Sequence, residues 1–402
     1  MISLLGTEQR PARPFPLRVH NQVLLVLVIV ATASTAAAGF VSLASNRLVS
    51  GDPIPLWIAA DRLSVTGVTL LGGVLLIACW ITPGRLLHYA VLAAATLLLL
   101  LALAAAGNAA GYLASRASAE SRISLGAAFW ILAGCAALGV GDALQRLGAG
   151  IVVRLAVITG IATGAVVLAA AGTFDALSIA REYDSRRQLF IDALGRHISL
   201  VAAAVGSAVV IGFPLGVAAA RRPHLRGALF ASLNILQTIP SIALFGLLIV
   251  PLSALVAALP QLAAFGIGGI GVAPALIALV LYALLPVVRN TSAGLAGVDH
   301  AVIDAGHGMG LTDRQIFYQV ELPLALPVLL AGLRIVTVQS IGLAVVAGLI
   351  GAGGLGTFVW EGLGQYAVDL VLLGALPAIF LALAADFVLQ ILSAILRRRF
   401  AP

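Results

Sequence analysis

The chain has 402 residues, of which 61% are hydrophobic and only 10% are charged. Soluble domains carry about a quarter charged residues, so this composition excludes an ordinary water-soluble protein. The formal net charge is +7, but no basic run interleaved with aromatic residues lies outside the apolar segments, which argues against a nucleic-acid-binding protein. The composition therefore predicts a polytopic membrane protein with an all-α fold.

Ten apolar segments meet the requirement for crossing a hydrocarbon core, which is about 20 mostly apolar residues at helical rise. In chain order they lie at residues 23–43, 65–81, 89–107, 123–140, 151–172, 200–219, 228–251, 272–288, 325–349 and 370–396. Backbone polar groups must be satisfied internally in lipid, so the sequence predicts a transmembrane helical bundle of about ten spans. A cleaved signal peptide is an alternative for the first segment, because an arginine-bearing start precedes the apolar run and the small residues 36–38.

The placement of arginine predicts the orientation, because short cytoplasmic loops carry the excess of positive charge. An arrangement with cytoplasmic N- and C-termini places the following arginines on the cytoplasmic side: Arg10, Arg13, Arg18, Arg85, Arg146, Arg221, Arg222, Arg226, Arg289, Arg314, Arg397, Arg398 and Arg399. Arginines on the opposite side have acidic neighbours, as Arg186 has Asp184. The arrangement with both termini in the cytoplasm is therefore preferred.

A polar stretch divides the spans into two groups of five. We interpret residues 1–172 as an N-terminal membrane region, 173–198 as an extracytoplasmic connector and 199–396 as the functional core. The core carries prolines within its spans, and irregular backbone in a membrane is tolerated only beside protein or a cavity. Two groups of five spans also permit an ion-coupled secondary transporter with inverted repeats, which stays an alternative.

Enzyme chemistry is not expected in this chain. All 23 Lys-plus-Arg positions are arginine, and a P-loop needs a lysine to reach the nucleotide phosphates. Cys79 and Cys135 fall in apolar segments, where a thiol is usually a small packing residue. The sequence has no His-Glu-x-x-His and no Gly-x-Ser-x-Gly motif. We therefore expect neither a cofactor nor a metal in this chain.

The loop between the eighth and ninth spans, residues 290–323, mixes apolar side chains with Asp, His, Arg and Gln. This pattern is typical of short helices that rest on another protein's surface. The loop contains Asp304-Ala305-Gly306, then Gly310, then Val320-Glu321-Leu322-Pro323. The spacing resembles the EAA motif of ABC importer permeases, which reads Glu-Ala-Ala, three residues, Gly, nine residues and Ile-x-Leu-Pro. Asp304 keeps the charge of the motif, whereas Gly306 in place of alanine lowers helix propensity by about 1 kcal/mol.

Other segments resemble the glycine betaine, carnitine and choline branch of these permeases. They are residues 234–241, 269–275, 281–291 and 351–356. The resemblance covers about residues 190–396 and implies a C-terminal type I ABC importer permease core. It further implies a bacterial inner (cytoplasmic) membrane, a second permease that is identical or homologous, ATP-binding subunits and an extracytoplasmic substrate-binding protein.

The resemblance also implies the function. The chain would be the permease subunit that translocates glycine betaine, choline or a related osmoprotectant, delivered by the binding protein and driven by ATP that the partner subunit hydrolyses. The residues expected to couple to that ATPase are Asp304, Ala305, Gly306, Gly310, Leu322 and Pro323.

Polar and aromatic residues within the core spans are candidates for the substrate path. Burying polar groups in lipid is costly, and aromatic faces attract quaternary ammonium groups. The candidates are Asn234, Gln237, Thr238, Ser241, Tyr282, Gln339 and Trp360. Interhelical hydrogen bonds are an alternative for the amides, and a place in the interfacial belt is an alternative for Tyr282 and Trp360. Arg334 and Asp386 are expected to pair with each other, and snorkelling of the two side chains to the membrane interface is the alternative.

Overall fold

The computed structural model describes residues 18–46, 49, 51–118 and 120–400. Arg10 and Arg13, which contributed to the predicted orientation, lie outside the described residues. The chain divides into two compact units, residues 1–178 and 179–402.

The first unit contains helices and a small sheet. Its elements are α1 (Gln22–Ala37), β1 (Val41–Ala44), β2 (Asp52–Ile54), α2 (Leu56–Ala59), α3 (Arg62–Ala78), α4 (Arg85–Ala114), β3 (Arg122–Leu125), α5 (Ala127–Arg146) and α6 (Ile151–Ala170). α4 packs against α3 and α5, and α5 also packs against α1. The buried face of α4 is rich in alanine, which lets neighbouring helices approach closely.

The sheet of the first unit was not predicted from the sequence. β1 lies between β2 and β3, and both pairings are antiparallel. Val41 stands opposite Ile54 on one side and Leu125 on the other. The sheet therefore joins the end of α1 to the start of α5 at one end of this helical bundle.

The second unit contains the remaining elements. They are α7 (Ser178–Ser185), which begins at the boundary, α8 (Arg187–Arg221), α9 (Pro223–Thr238), α10 (Ser241–Ala258), a 3₁₀ turn (Pro260–Phe265), α11 (Val272–Ala296), α12 (His300–Gly308), α13 (Asp313–Ile316), a π-helical turn (Phe317–Glu321), α14 (Leu322–Ala347), a 3₁₀ turn (Gly348–Ile350), α15 (Gly356–Gly364) and α16 (Val368–Phe400).

α11 is the central helix of the second unit, and it packs most extensively against α8 and α14. Two glycines of α8 make the first contact close. A Cβ at Gly212 would lie 2.8 Å from Val287 Cγ1, and one at Gly216 would lie 2.5 Å from Thr291 Cβ. Small residues with this four-residue spacing allow two membrane helices to approach each other closely.

The predicted helical membrane bundle is confirmed. Among the described residues, eight helices are long and apolar enough to cross a membrane, and two shorter apolar helices, α1 and α3, accompany them. The seventh predicted span differs, because it is broken into α9 and α10 at Ile239 and Pro240. Most of the stretch predicted as a connector, residues 173–198, is helical, and α8 begins within it at Arg187.

The expected pairing of Arg334 with Asp386 is confirmed. Arg334 Nη2 lies 2.8 Å from Asp386 Oδ2, and Arg334 Nε donates to the other carboxylate oxygen. The pair joins α14 to α16, and this two-pronged geometry is the strongest that arginine forms with a carboxylate.

Candidate functional site

The residues that match the EAA spacing form a compact loop, here called the EAA loop (residues 299–323). Asp299 caps α12 by accepting a hydrogen bond from the Ala301 amide at 2.9 Å. The chain reverses at Gly310, whose φ of +80° is in the left-handed region that favours glycine. Thr312 and Gln315 then form a capping box at the start of α13. Local sequence thus sets each turn of the loop.

The inner face of the EAA loop is held by apolar contact between α12 and α13. Gly306 and Ile316 are both buried. A Cβ at Gly306 would lie 3.3 Å from Ile316 Cγ1, so the missing side chain makes room for the isoleucine. Gly306 therefore faces the loop's own interior.

The outer face of the EAA loop exposes charged and apolar side chains together. Asp304 and Ala305 are exposed on α12. Val302 is 42% exposed, Met309 75% and Tyr318 56%. Apolar side chains exposed beside charges are typical of a surface that another protein covers.

His307 links the two short helices of the EAA loop. Its Nε2 lies 3.1 Å from Asp313 Oδ1, and its Nδ1 lies 3.1 Å from the Ile303 carbonyl oxygen. The hydrogen bond with Asp313 raises the pKa of the His307 imidazole.

A pH dependence of the EAA loop follows from this pair. Because the pKa of His307 is raised in the folded loop, the contact stabilises the loop fully below the ordinary histidine pKa of about 6.5. The stabilisation is lost as pH rises through the raised pKa. An NMR titration, with the His307 resonance assigned by its absence in His307→Gln, is expected to give a higher midpoint in the wild type than in Asp313→Asn. Equal midpoints would contradict the pairing.

Leu322 and Pro323 begin α14 and are partly buried, directly after the π-helical turn. Proline cannot donate to the carbonyl four residues earlier and its ring clashes there, so the helix cannot continue with α-type hydrogen bonds at this point. The wider π-helical turn, residues 317–321, precedes it. Turns of this kind recur at functional positions in helices.

Glu321 ends the π-helical turn and is buried, with 3% of its surface exposed. Its Oε2 accepts a hydrogen bond from Arg221 Nη2, at the C-terminal end of α8. The Arg221 guanidinium also lies 5.9 Å from the centre of the Phe317 ring. The pair connects the EAA loop to α8.

A cleft of about 630 Å³ lies between α8 and the EAA loop. Its wall includes Val217 and Arg221 from α8 and His307, Arg314 and Tyr318 from the loop. The cleft is both charged and apolar, so its chemistry matches that of the outer face of the loop.

The helix break at Ile239 and Pro240 brings two path candidates together. Tyr282 donates its hydroxyl hydrogen to the Ile239 carbonyl oxygen, and Gln237 Nε2 donates to the Tyr282 carbonyl oxygen at 2.9 Å. Ile239 is extended and Pro240 has no N–H, so the break removes helical hydrogen bonds here. Tyr282 and Gln237 thus support the broken backbone. For Gln237 this is the interhelical hydrogen bond weighed against path lining, whereas the alternative considered for Tyr282 was a place in the interfacial belt.

Removing the Tyr282 hydroxyl tests this role. Tyr282→Phe leaves the partly buried Ile239 carbonyl without its donor, so we expect the free energy of unfolding to fall by about 0.5–1.5 kcal/mol. Thermal unfolding in detergent measures the change. Tyr183→Phe, which keeps the ring contact of Tyr183 with Phe190, is the matched control. Similar melting temperatures for the two variants would contradict the supporting role.

The other path candidates lie on different elements. Asn234 and Thr238 are exposed on α9 and Ser241 is partly buried at the start of α10, while Asn234 Oδ1 lies 3.4 Å from Arg289 Nη2. Gln339 is partly buried in α14. Trp360 in α15 donates from Nε1 to the Val345 carbonyl oxygen of α14 at 3.0 Å. Residues 234–241 therefore present a polar strip along α9 and its break.

The sequence interpretation missed two contacts of this region. Glu321 occupied the variable position of the motif, and Arg221 was counted only as a positive charge at a span end. The two residues are 100 positions apart, and no local sequence pattern predicts that they pair. The hydrogen bonds between Tyr282 and the helix break were missed for the same reason.

Two protein families match different parts of the chain. Residues 19–180 match the family described as ABC transporter permease YehY, N-terminal domain. Residues 212–402 match the family described as binding-protein-dependent transport system inner membrane component.

Curated relatives match about half of the chain. The osmoprotectant import permease protein OsmW of Salmonella typhimurium is 42% identical over 201 residues, which cover 50% of this chain and 88% of OsmW. The carnitine transport permease protein OpuCB of Listeria monocytogenes is 41% identical over 194 residues, which cover 48% and 82%. The glycine betaine/carnitine/choline transport system permease protein OpuCB of Bacillus subtilis is 37% identical over 195 residues, which also cover 48% and 82%.

Among solved structures, one titled as inward-facing conformations of the MetNI methionine ABC transporter is similar to this chain. The match covers 53% of this chain and 98% of the chain in that structure. That match has 24% sequence identity and a TM-score of 0.47. The relatives and the match to residues 212–402 decide the family without it. The chain belongs to the osmoprotectant (glycine betaine/carnitine/choline) family of ABC importer permeases, the inner-membrane components of binding-protein-dependent transport systems.

Proposed function

We propose that this chain is the membrane-spanning subunit of an ATP-driven importer for glycine betaine, choline or a related osmoprotectant. An extracytoplasmic binding protein delivers the substrate, and ATP is hydrolysed in a partner subunit. The relatives named for osmoprotectant, carnitine and choline transport support the substrate class.

The outer face of the EAA loop is the observation that carries the proposal. Met309 is 75% exposed beside the reversal at Gly310, with charged residues on both sides. A loop between spans is not covered by lipid, so an exposed methionine there favours contact with another protein. We assign that contact to the ATP-binding subunit, with Asp304, Ala305 and Gly310 at the interface, Leu322 and Pro323 at its junction with α14, and Gly306 supporting it from within.

The proposed topology places the EAA loop and both termini in the cytoplasm. The end of α8 and the start of α9, which are rich in arginine, lie on the cytoplasmic side under this topology, as the positive-inside rule requires. Residues 199–396 form the permease core of the proposal, and a second permease, identical or homologous, completes the translocation path. Residues 1–172 are an additional membrane region preceding that core.

The polar strip along α9 and its break is the proposed substrate path within this subunit. Asn234, Thr238 and Ser241 supply polar groups there, and Gln339 and Trp360 are assigned to the same path on α14 and α15. Gln237 and Tyr282 shape the path through their hydrogen bonds to the break. The permease has only to pass the substrate, so no tight aromatic site is required of it.

Affinity purification of the tagged chain from mild detergent tests the proposal. We expect an ATP-binding subunit to co-purify and to be lost in the double variant Asp304→Ala with Gly310→Val. In proteoliposomes, uptake of labelled glycine betaine or choline should require ATP, that subunit and the binding protein. Arg222→Gln, an exposed arginine outside the EAA loop, is the control for a lost charge.

One outcome would replace the proposal with the ion-coupled secondary transporter. Uptake would then continue when the chain purifies without an ATPase, and it would collapse when an ionophore dissipates the ion gradient. Uptake that follows ATP and ignores the ionophore excludes that alternative.

A further inference from the structure

The ion pair between Arg221 and Glu321 joins the C-terminal end of α8 to the last residues of the EAA loop. Glu321 is 3% exposed, whereas the side chain of Arg221 is 52% exposed. A carboxylate in such a position is costly unless it is paired, and Arg221 supplies that partner. The contact of Arg221 with the Phe317 ring holds the guanidinium over the π-helical turn.

α14 and α8 are connected to the EAA loop in different ways. α14 follows the EAA loop directly along the chain, so a displacement of the loop reaches α14 through covalent bonds. α8 has no such direct connection, since Glu321 follows Arg221 by 100 residues along the chain. The ion pair is therefore a direct link between α8 and the end of the loop.

The position of the pair suits this role. Glu321 is the last residue of the π-helical turn, directly before Leu322 and Pro323. α8 in turn packs along α11, the central helix of the unit, and against α14. A displacement that reached α14 alone would have to slide α14 past α8.

We propose that Arg221 and Glu321 are positioning residues for energy coupling, which make α8 move with the EAA loop when the ATP-binding subunit moves that loop. This inference rests on the proposed function. It predicts that loss of the pair separates ATP hydrolysis from uptake without detaching the ATP-binding subunit.

The test uses the complete complex in proteoliposomes, with labelled glycine betaine and choline as probes. The variants are Glu321→Gln, Arg221→Gln and the double variant, and the readout is substrate taken up per ATP hydrolysed. We expect this ratio to fall about fivefold or more in all three, the lower end of typical coupling between sites. Arg222→Gln, which removes the neighbouring exposed charge, should keep the wild-type ratio.

The yield of folded complex shows whether a variant loses uptake because coupling is lost or because the protein is less stable. Arg221→Gln leaves a buried, unpaired carboxylate and should lower the yield of folded complex, whereas the double variant removes that charge and should restore the yield. A low ratio in the well-folded double variant supports the positioning role.

A ratio within twofold of the wild type in both Glu321→Gln and the double variant would overturn the inference, as would loss of the ATP-binding subunit from those complexes. If the wild-type chain itself retains no ATP-binding subunit, the proposed function fails first.

Discussion

Replacing Gly310 with valine is expected to lower osmoprotectant uptake about 5- to 30-fold while the chain still accumulates in the membrane. Gly310 has a φ of +80°, where a β-branched residue is strained by about 1–2 kcal/mol, which lowers the ratio of native to non-native turn about 5- to 30-fold. Nothing lies within 4 Å of an added Cβ at this position. The strain is therefore confined to the reversal that shapes the EAA loop.

Gly308→Val is the matched control for this prediction. Gly308 lies two residues earlier, also has nothing within 4 Å of an added Cβ, and ends α12 with an ordinary φ. Uptake in proteoliposomes and the amount of bound ATP-binding subunit are the measurements. Normal uptake by Gly310→Val, with the ATP-binding subunit retained, would remove the EAA loop from the mechanism.

Gly216→Ala is expected to lower the free energy of unfolding by about 1–3 kcal/mol, as overpacking of a close contact usually does. The added Cβ would lie 2.5 Å from Thr291 Cβ and 3.0 Å from the Val288 carbonyl oxygen. These atoms belong to the backbone of α11 or lie next to it, so rotation of a side chain cannot remove the clash. α8 and α11 would have to separate.

Gly206→Ala is the control on the same helix. Nothing lies within 4 Å of a Cβ added there, and alanine favours a helix over glycine by about 1 kcal/mol. Thermal unfolding in detergent should therefore show a lower midpoint for Gly216→Ala and an unchanged or higher one for Gly206→Ala. Equal midpoints would show that the helices adjust without cost.

The sequence predicted the membrane helices well because lipid imposes one rule along the whole chain. Each span must be apolar, and its backbone must be hydrogen-bonded within the span. A long apolar segment in the sequence is therefore enough to predict a membrane helix. The same rule does not say which proline ends a helix. Pro214 and Pro286 lie inside α8 and α11, whereas Pro240 follows an extended Ile239 and divides a predicted span. The hydrogen bond from Tyr282 supports that break from another helix.

Short strands and paired charges were beyond the reach of sequence patterns. β1 has four residues, which is too short to show a clear alternating pattern, and it pairs with β3 about 80 positions along the chain. The EAA loop was recognised because its residues follow one another at fixed spacing. Glu321 lies within that spacing, yet its partner Arg221 belongs to another helix.

The helical segment from Asp313 to Ile350 joins two distant parts of the second unit. It comprises 38 residues, which at helical rise is a rod about 55 Å long. Its two ends are the EAA loop and the glycine turn at Gly351, Gly353 and Gly354, where φ lies between 76° and 80°. A tilt of the rod by about 5° would displace one end by about 5 Å relative to the other. A small rotation at the EAA loop is therefore enough to move the glycine turn at the other end of the rod by several ångströms.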